Sequence, residues 1–236
     1  DVKALPFTGP SDADMLFFDR PRASKSLPFD PFGHPSPALI TRASLLETPF
    51  EAITVRVGTS IAPASPHVTI SENVGKDMRF GEAVPDWKDI AQKAAALAGG
   101  LDKRVKQIVL AESIPGGTTS AFLLLHALGF AGSVSSAGPF NPLSLKEEIW
   151  CDTSKRLGIK AGDFKGKGLR AAAELGDPMQ IAVAAYAAAL PDDVKITLAG
   201  GTQMMAVAAL LRDMGVTRDI IVATTNYVHI DPPSRF

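Results

Sequence analysis

Two stretches of the sequence share one grammar. Ile108-Val109-Leu110-Ala111-Glu112-Ser113-Ile114-Pro115-Gly116-Gly117-Thr118-Thr119-Ser120 and Ile196-Thr197-Leu198-Ala199-Gly200-Gly201-Thr202-Gln203 each run from an apolar segment through a Gly-Gly-Thr turn into a helix-forming one. Glycines let a backbone turn sharply and approach an anion with no side chain between. The helix that follows offers unpaired N–H groups and the positive end of its dipole, and the threonine hydroxyl adds a donor or caps the helix. Gly116, Gly117, Thr118 and Thr119 in the first loop, with Gly200, Gly201 and Thr202 in the second, are therefore candidates for holding a phosphate. One such loop alone is more often a plain structural turn, because short glycine motifs are weak signals. Two with one grammar shift the balance towards a phosphate or nucleotide site. Glu112, at the end of an apolar strand, is the ionisable group best placed for chemistry, as a base or as an acceptor for a ring N–H. A carboxylate that merely closes the loop explains it equally well. Ser133, Ser135 and Ser136, followed by Gly138-Pro139-Phe140-Asn141-Pro142, form a further polar turn that lines the same crevice or caps a helix.

Better-known motifs do not survive inspection. Gly166, Gly168 and Ala171 fit G-x-G-x-x-A, but Asp163 and Lys165 stand where an apolar strand should precede them, so a Gly/Lys loop is the plainer reading. No P-loop and no G-x-S-x-G elbow is present. His34, His67, His126 and His229 have no metal-ligand spacing, and His126 reads as a core residue within an apolar helix. No metal and no cofactor is expected.

The elements that must position the loops follow from hydropathy. The 236 residues are 46% hydrophobic and 21% charged, globular figures, and 24 Lys+Arg against 25 Asp+Glu leave a formal charge of -1. Without a basic excess, nucleic acid is not an expected partner. Cys151 stands alone, which excludes an internal disulfide framework. No apolar run is long enough for a membrane span and no signal peptide is seen, so a cytoplasmic protein is expected. Numbering from Asp1 rather than Met is expected of a processed or trimmed chain.

Apolar strands are expected at Met15–Phe18, Ile53–Val57, Gln107–Ala111, Lys195–Ala199 and Ile220–Ala223. Helices are expected over Ala38–Leu46, 86–99, Thr118–Leu128, 143–157, 167–190 with a break near Gly176-Asp177-Pro178, and Thr202–Met214. Residues 58–85 read as irregular, with Pro63, Pro66, Gly75 and Gly81. Strands alternating with helices imply crossovers and a parallel sheet, whose apolar strands are covered on both faces. The expected fold is α/β, Rossmann-like and doubly wound, a single domain over 1–236 with an irregular, proline-rich part at 1–85.

At these residues the chain resembles the nicotinate-nucleotide–dimethylbenzimidazole phosphoribosyltransferase family, in its archaeal and cyanobacterial-type branch. The matching pieces are Pro35-Ser36-Pro37-Ala38-Leu39-Ile40-Thr41-Arg42-Ala43, Glu112-Ser113-Ile114-Pro115-Gly116-Gly117-Thr118-Thr119, Gly176-Asp177-Pro178-Met179-Gln180 and Ala199-Gly200-Gly201-Thr202-Gln203-Met204, in the expected order. The resemblance implies a homodimeric enzyme that moves the phosphoribosyl group of nicotinate mononucleotide onto a benzimidazole-type base, on the path to the lower ligand of cobalamin. It implies that Glu112 is a site carboxylate, that the amides from Gly116 to Thr119 hold the nucleotide, and that Gly176-Asp177 and Gly200-Gly201-Thr202 are ligand-facing loops. Two departures matter. The well-studied bacterial branch carries a basic phosphate-contacting residue where this sequence has Glu174, and its general-base glutamate follows the last strand, beyond Phe236 here. The C-terminal segment of the family is accordingly expected to be absent, and the chain to bind the nucleotide weakly and turn it over poorly. A nucleotide- or phosphate-binding homologue without transferase activity is the alternative. A scaffold whose glycine turns are purely structural is the third reading.

Overall fold

The helix that carries the break near Gly176 shows how local chemistry sets the elements. Asp177 accepts a hydrogen bond from the Met179 N–H at 2.8 Å, the Gln180 side chain accepts one from the Asp177 N–H at 3.1 Å, and Pro178 occupies the first helical position. This reciprocal cap starts α7 (Pro178–Ala189) and ends any continuation from α6 (Gly168–Leu175). The computed structural model describes residues 6–25, 27–30, 32–48, 50–131, 133–136 and 141–230. The remaining elements are α1 (Thr8–Phe17), α2 (Ala38–Glu47), β1 (Thr54–Val57), β2 (His67–Ser71), α3 (Trp87–Gly99), β3 (Gln107–Ala111), α4 (Thr118–Ala127), α5 (Leu143–Leu157), β4 (Lys195–Ala199), α8 (Thr202–Asp213), β5 (Ile220–Ala223) and α9 (Asn226–Ile230). Among the described residues the named strands pair in parallel, β1 with β2 in one sheet and β3-β4-β5 in that order in another. The fold is α/β with helices on both sides of the parallel sheets, as the sequence predicts.

The chain groups into two compact units, Asp1–Val74 with Ser113–Pro115, and Gly75–Glu112 with Gly116–Phe236. In the first, Asp14 is wholly buried and its carboxylate accepts the backbone N–H groups of Arg22, Ala23 and Ser65 at 2.6–2.8 Å. Arg56 is buried as well, held by Glu72 at 2.6 Å and by the carbonyls of Thr59 and Ser60. The expected strand at Met15–Phe18 is instead the end of α1. A short apolar run does not distinguish strand from helix. The buried face here is Pro10, Ser11, Asp12, Asp14 and Met15, whose helical spacing is hidden because three of the five are polar. Residues 58–85 are not wholly irregular either. His67–Ser71 pairs with β1 from Thr54↔His67 onward, so the strand flanked by Pro63 and Pro66 is fixed by its partner rather than by its own pattern.

In the second unit α3 packs on α7, α7 on α8, and α4 on α8. The inward residues include Ile90, Ala94 and Ala98 of α3, Ile181 and Ala184 of α7, and Met204, Val207 and Leu210 of α8, all buried. Alanine lets the helices approach closely, while each buried Leu or Ile contributes about 1.5–3 kcal/mol. Ile196 and Leu198 of β4 are buried, yet Val109 on β3 is 56% exposed and Ile221 on β5 58% exposed. By register Val109, Thr197 and Ile221 share one face of this sheet. Among the described residues no helix is long and apolar enough to cross a membrane.

Candidate functional site

Register brings the two glycine loops together. β3 and β4 pair from Gln107↔Lys195 to Ala111↔Ala199, so Glu112 and Gly200 leave neighbouring strands at the same level of the sheet. A Cβ built on Gly200 would stand 3.5 Å from Glu112 Oε1 and 2.8 Å from Met204 Cγ. A side chain there would force Met204 to shift, and the Gly200 N–H donates to the Ala223 carbonyl at 2.9 Å. Glu112 is half-buried between these loops. In a parallel sheet this is the carboxyl edge, where ligands bind.

The first loop turns at Gly116 with φ +77° and enters α4 through Gly117, and the second enters α8 through Gly201. No side chain caps either helix, so of the two roles open to the threonines, added donor or helix cap, the cap is not taken. Thr118 and Thr119 occupy the first turn of α4. Thr202, 2% exposed, pairs its hydroxyl with Ser135 Oγ at 2.8 Å. Ser135 thus reaches the α8 terminus. Gly138, Pro139 and Phe140 of the same expected turn lie outside the described residues.

Gly176 and Asp177 reach these loops by another route. A Cβ on Gly176 would lie 2.7 Å from both the Ala172 carbonyl and Gln180 Oε1, so close packing already requires the glycine. Asp177 serves as the α7 cap, and burial pushes its carboxyl up to about 6 against the opposing effect of the Met179 N–H. Gln180 Nε2 then donates to Gln203 Oε1 at 2.7 Å, which joins the α7 cap to the first turn of α8.

One charged residue escapes sequence reasoning. Lys146 of α5 is 1% exposed, its Nζ donating to Asn141 Oδ1 at 2.9 Å and to the Ser135 carbonyl at 3.3 Å. Among the described residues no carboxylate lies within ion-pair distance, and burial holds its ammonium below the usual lysine range. The available signal was its place seven residues before Thr153, the other buried residue of α5. Glu174, by contrast, is a buried hub that accepts from Arg156 Nη2 at 3.0 Å and from Arg170, which also pairs with Glu82. A concavity of about 500 Å³ is lined by Lys76, Asp77, Phe80, Gly81, Glu82 and Pro85, none of them expected from sequence.

The arrangement, a parallel sheet with paired glycine loops at its carboxyl edge, has the fold of a known class. It superposes on the nicotinate-nucleotide-dimethylbenzimidazole phosphoribosyltransferase from Thermus thermophilus with a TM-score of 0.62 at 17% identity, over 78% of this chain and 57% of that one. A CobT structure from the same organism gives 0.59 at 14%, covering 58% of its chain. This chain therefore spans less than two thirds of those structures. No family model matches the sequence. Curated relatives do: UPF0284 proteins of Pyrococcus furiosus, 41% identical over 232 residues, and of Thermococcus onnurineus, 43% identical over 231 residues. The matches cover 98% and 97% of this chain and 70% and 68% of those proteins. The chain belongs to the UPF0284 family.

Proposed function

We propose that the carboxyl edge of β3 and β4 is a nucleotide site and that the protein is a phosphoribosyltransferase, moving the phosphoribosyl group of nicotinate mononucleotide onto a benzimidazole-type base. The observation that carries this reading is the placement of Glu112 beside Gly200, where the loop before α4 and the loop before α8 meet. In the reaction the bond from ribose C1′ to the nicotinate nitrogen breaks and its electron pair leaves with nicotinate. A ring nitrogen of the acceptor then bonds to C1′, and the proton it carried passes to a carboxylate, the role given to Glu112. The loop amides hold the phosphate; that binding fixes position and by itself raises no rate. The homodimer is carried over from the same resemblance and is checked by light scattering. The superposed proteins are the source of the substrate assignment, and the fold is compatible with it.

Binding without transfer is the second reading. It is favoured by the character of the groups gathered at the α4 and α8 termini, which besides Glu112 include backbone amides, hydroxyls, the Gln203 amide and Lys146. The test is incubation with nicotinate mononucleotide and dimethylbenzimidazole, following nicotinate and the phosphoribosylated base together. Equal, catalytic formation of both supports transfer; neither forming, with the nucleotide bound, supports binding alone.

A further inference from the structure

We infer that Gln203 is a dedicated hydrogen-bond donor to a phosphate oxygen seated at the N-terminus of α8, with Lys146 supplying the compensating charge through Ser135. This deepens the proposed function and rests on it for the identity of the nucleotide, though not for the phosphate.

The direction of the buried amide relay is fixed by a backbone group. A peptide N–H can only donate, and the Asp177 N–H points at Gln180, so the Gln180 atom that receives it is the carbonyl oxygen Oε1. Gln180 must therefore turn its Nε2 towards Gln203, and Gln203 must meet it with Oε1. Neither amide can flip without setting oxygen against oxygen or nitrogen against nitrogen. The end of the relay is consequently a donor, Gln203 Nε2. That atom is buried and has no acceptor among the described residues, in a side chain only 4% exposed. Buried donors are almost always paired, and leaving one unpaired is costly.

The neighbouring groups specify the missing acceptor as an anion. Gln203 lies in the first turn of α8, a helix of twelve residues whose leading N–H groups receive no side-chain cap. Thr202, beside it, pairs with Ser135, whose carbonyl receives the Lys146 ammonium. A buried lysine without a carboxylate is unfavourable until an anion compensates it. Three features at and behind the α8 terminus thus favour negative charge: a donor whose orientation the backbone dictates, a helix start without a side-chain cap, and a buried cation linked to that start through Ser135 and Thr202. A phosphate dianion has several acceptor oxygens and satisfies all of them, whereas one neutral carbonyl satisfies only the first.

The experiment is calorimetric titration of the full chain with inorganic phosphate, nicotinate mononucleotide and nicotinate riboside at constant ionic strength. Gln203→Met removes the donor at similar volume, Gln203→Glu replaces it with negative charge, and Lys146→Met removes the cation. Affinity for inorganic phosphate and the mononucleotide is expected to fall about 10-fold in Gln203→Met and about 10- to 100-fold in the other two, as for hydrogen bonds to charged groups. Riboside binding is expected to hold within about 2-fold, since no phosphate reaches the seat. Thermal unfolding shows which variants are folded; if Gln203→Glu is not, Gln203→Met carries the comparison. Mononucleotide binding that is undiminished in folded Gln203→Met overturns the inference and leaves the proposed function standing. Gln203-dependent binding of inorganic phosphate with no affinity for the mononucleotide supports the inference and removes the proposed function. An equal loss for the riboside, or no phosphate binding by the wild type, overturns the seat.

Discussion

Gly200 stands where the account is most exposed to a single atom. A methyl group there meets Met204 Cγ at 2.8 Å, and the Met204 side chain, itself wholly buried, must move. Gly200→Ala is expected to destabilise the chain by about 1–3 kcal/mol, the usual cost of overpacking, measured by urea denaturation. Unchanged stability would mean that Met204 moves aside without cost. Glu174→Gln tests a different residue. Its carboxylate is buried between Arg156 and Arg170, so neutralising it leaves two guanidinium groups facing a neutral amide. A loss of about 1–3 kcal/mol is expected, the range for hydrogen bonds to charged groups, because both arginines are partly exposed and Arg170 keeps Glu82; the same urea titration reads it. In the structure the charge of Glu174 is committed to two arginines.

The strand–loop–helix elements were legible because their signals are local. Gln107–Ala111, Lys195–Ala199 and Ile220–Ala223 are short branched segments bounded by turn residues, and Gly176-Asp177-Pro178 carries its own cap chemistry. What stayed hidden depends on partners remote in sequence. β2 forms against β1, α1 buries a polar face organised by Asp12 and Asp14, and Lys146 turns inward to meet Ser135. The same reason explains the site: the glycine loops and Glu112 were visible, while the Gln180–Gln203 link was not, because a hydrogen bond between two helices leaves no periodic trace. The α7 cap gives a prediction at this scale. The folded Asp177 carboxyl keeps its proton up to about pH 6, whereas the ordinary value is 3.8. The folded chain therefore binds more protons between the two values, and stability falls as pH rises through that window. Asp177→Asn retains a capping oxygen and removes the titration. Its Tm relative to wild type is expected to rise between about pH 4 and pH 6.5. A constant difference across that range would show that Asp177 does not titrate there.

At the scale of the whole molecule, membership of the UPF0284 family and the phosphoribosyltransferase fold rest on independent comparisons, one of sequence and one of structure. We propose that the chain unfolds as one domain, although its residues group into two compact units. The loop between β3 and α4 belongs to the first unit at Ser113–Pro115 and to the second on either side, so the covalent chain crosses between them within a few residues. Scanning calorimetry is expected to give one transition; two resolved transitions would divide the chain into domains. What the carboxyl edge of β3 and β4 does turns on Glu112. The most direct test is the rate of phosphoribosyl transfer from nicotinate mononucleotide to dimethylbenzimidazole by wild type and Glu112→Gln, at saturating concentrations of both substrates. Measurable wild-type transfer is expected, with a kcat lower by about 10²- to 10⁴-fold in the variant, the range for loss of a general base. Transfer that proceeds equally well with Glu112→Gln would contradict the role of this carboxylate, and absence of transfer by the wild type would contradict the transferase reading.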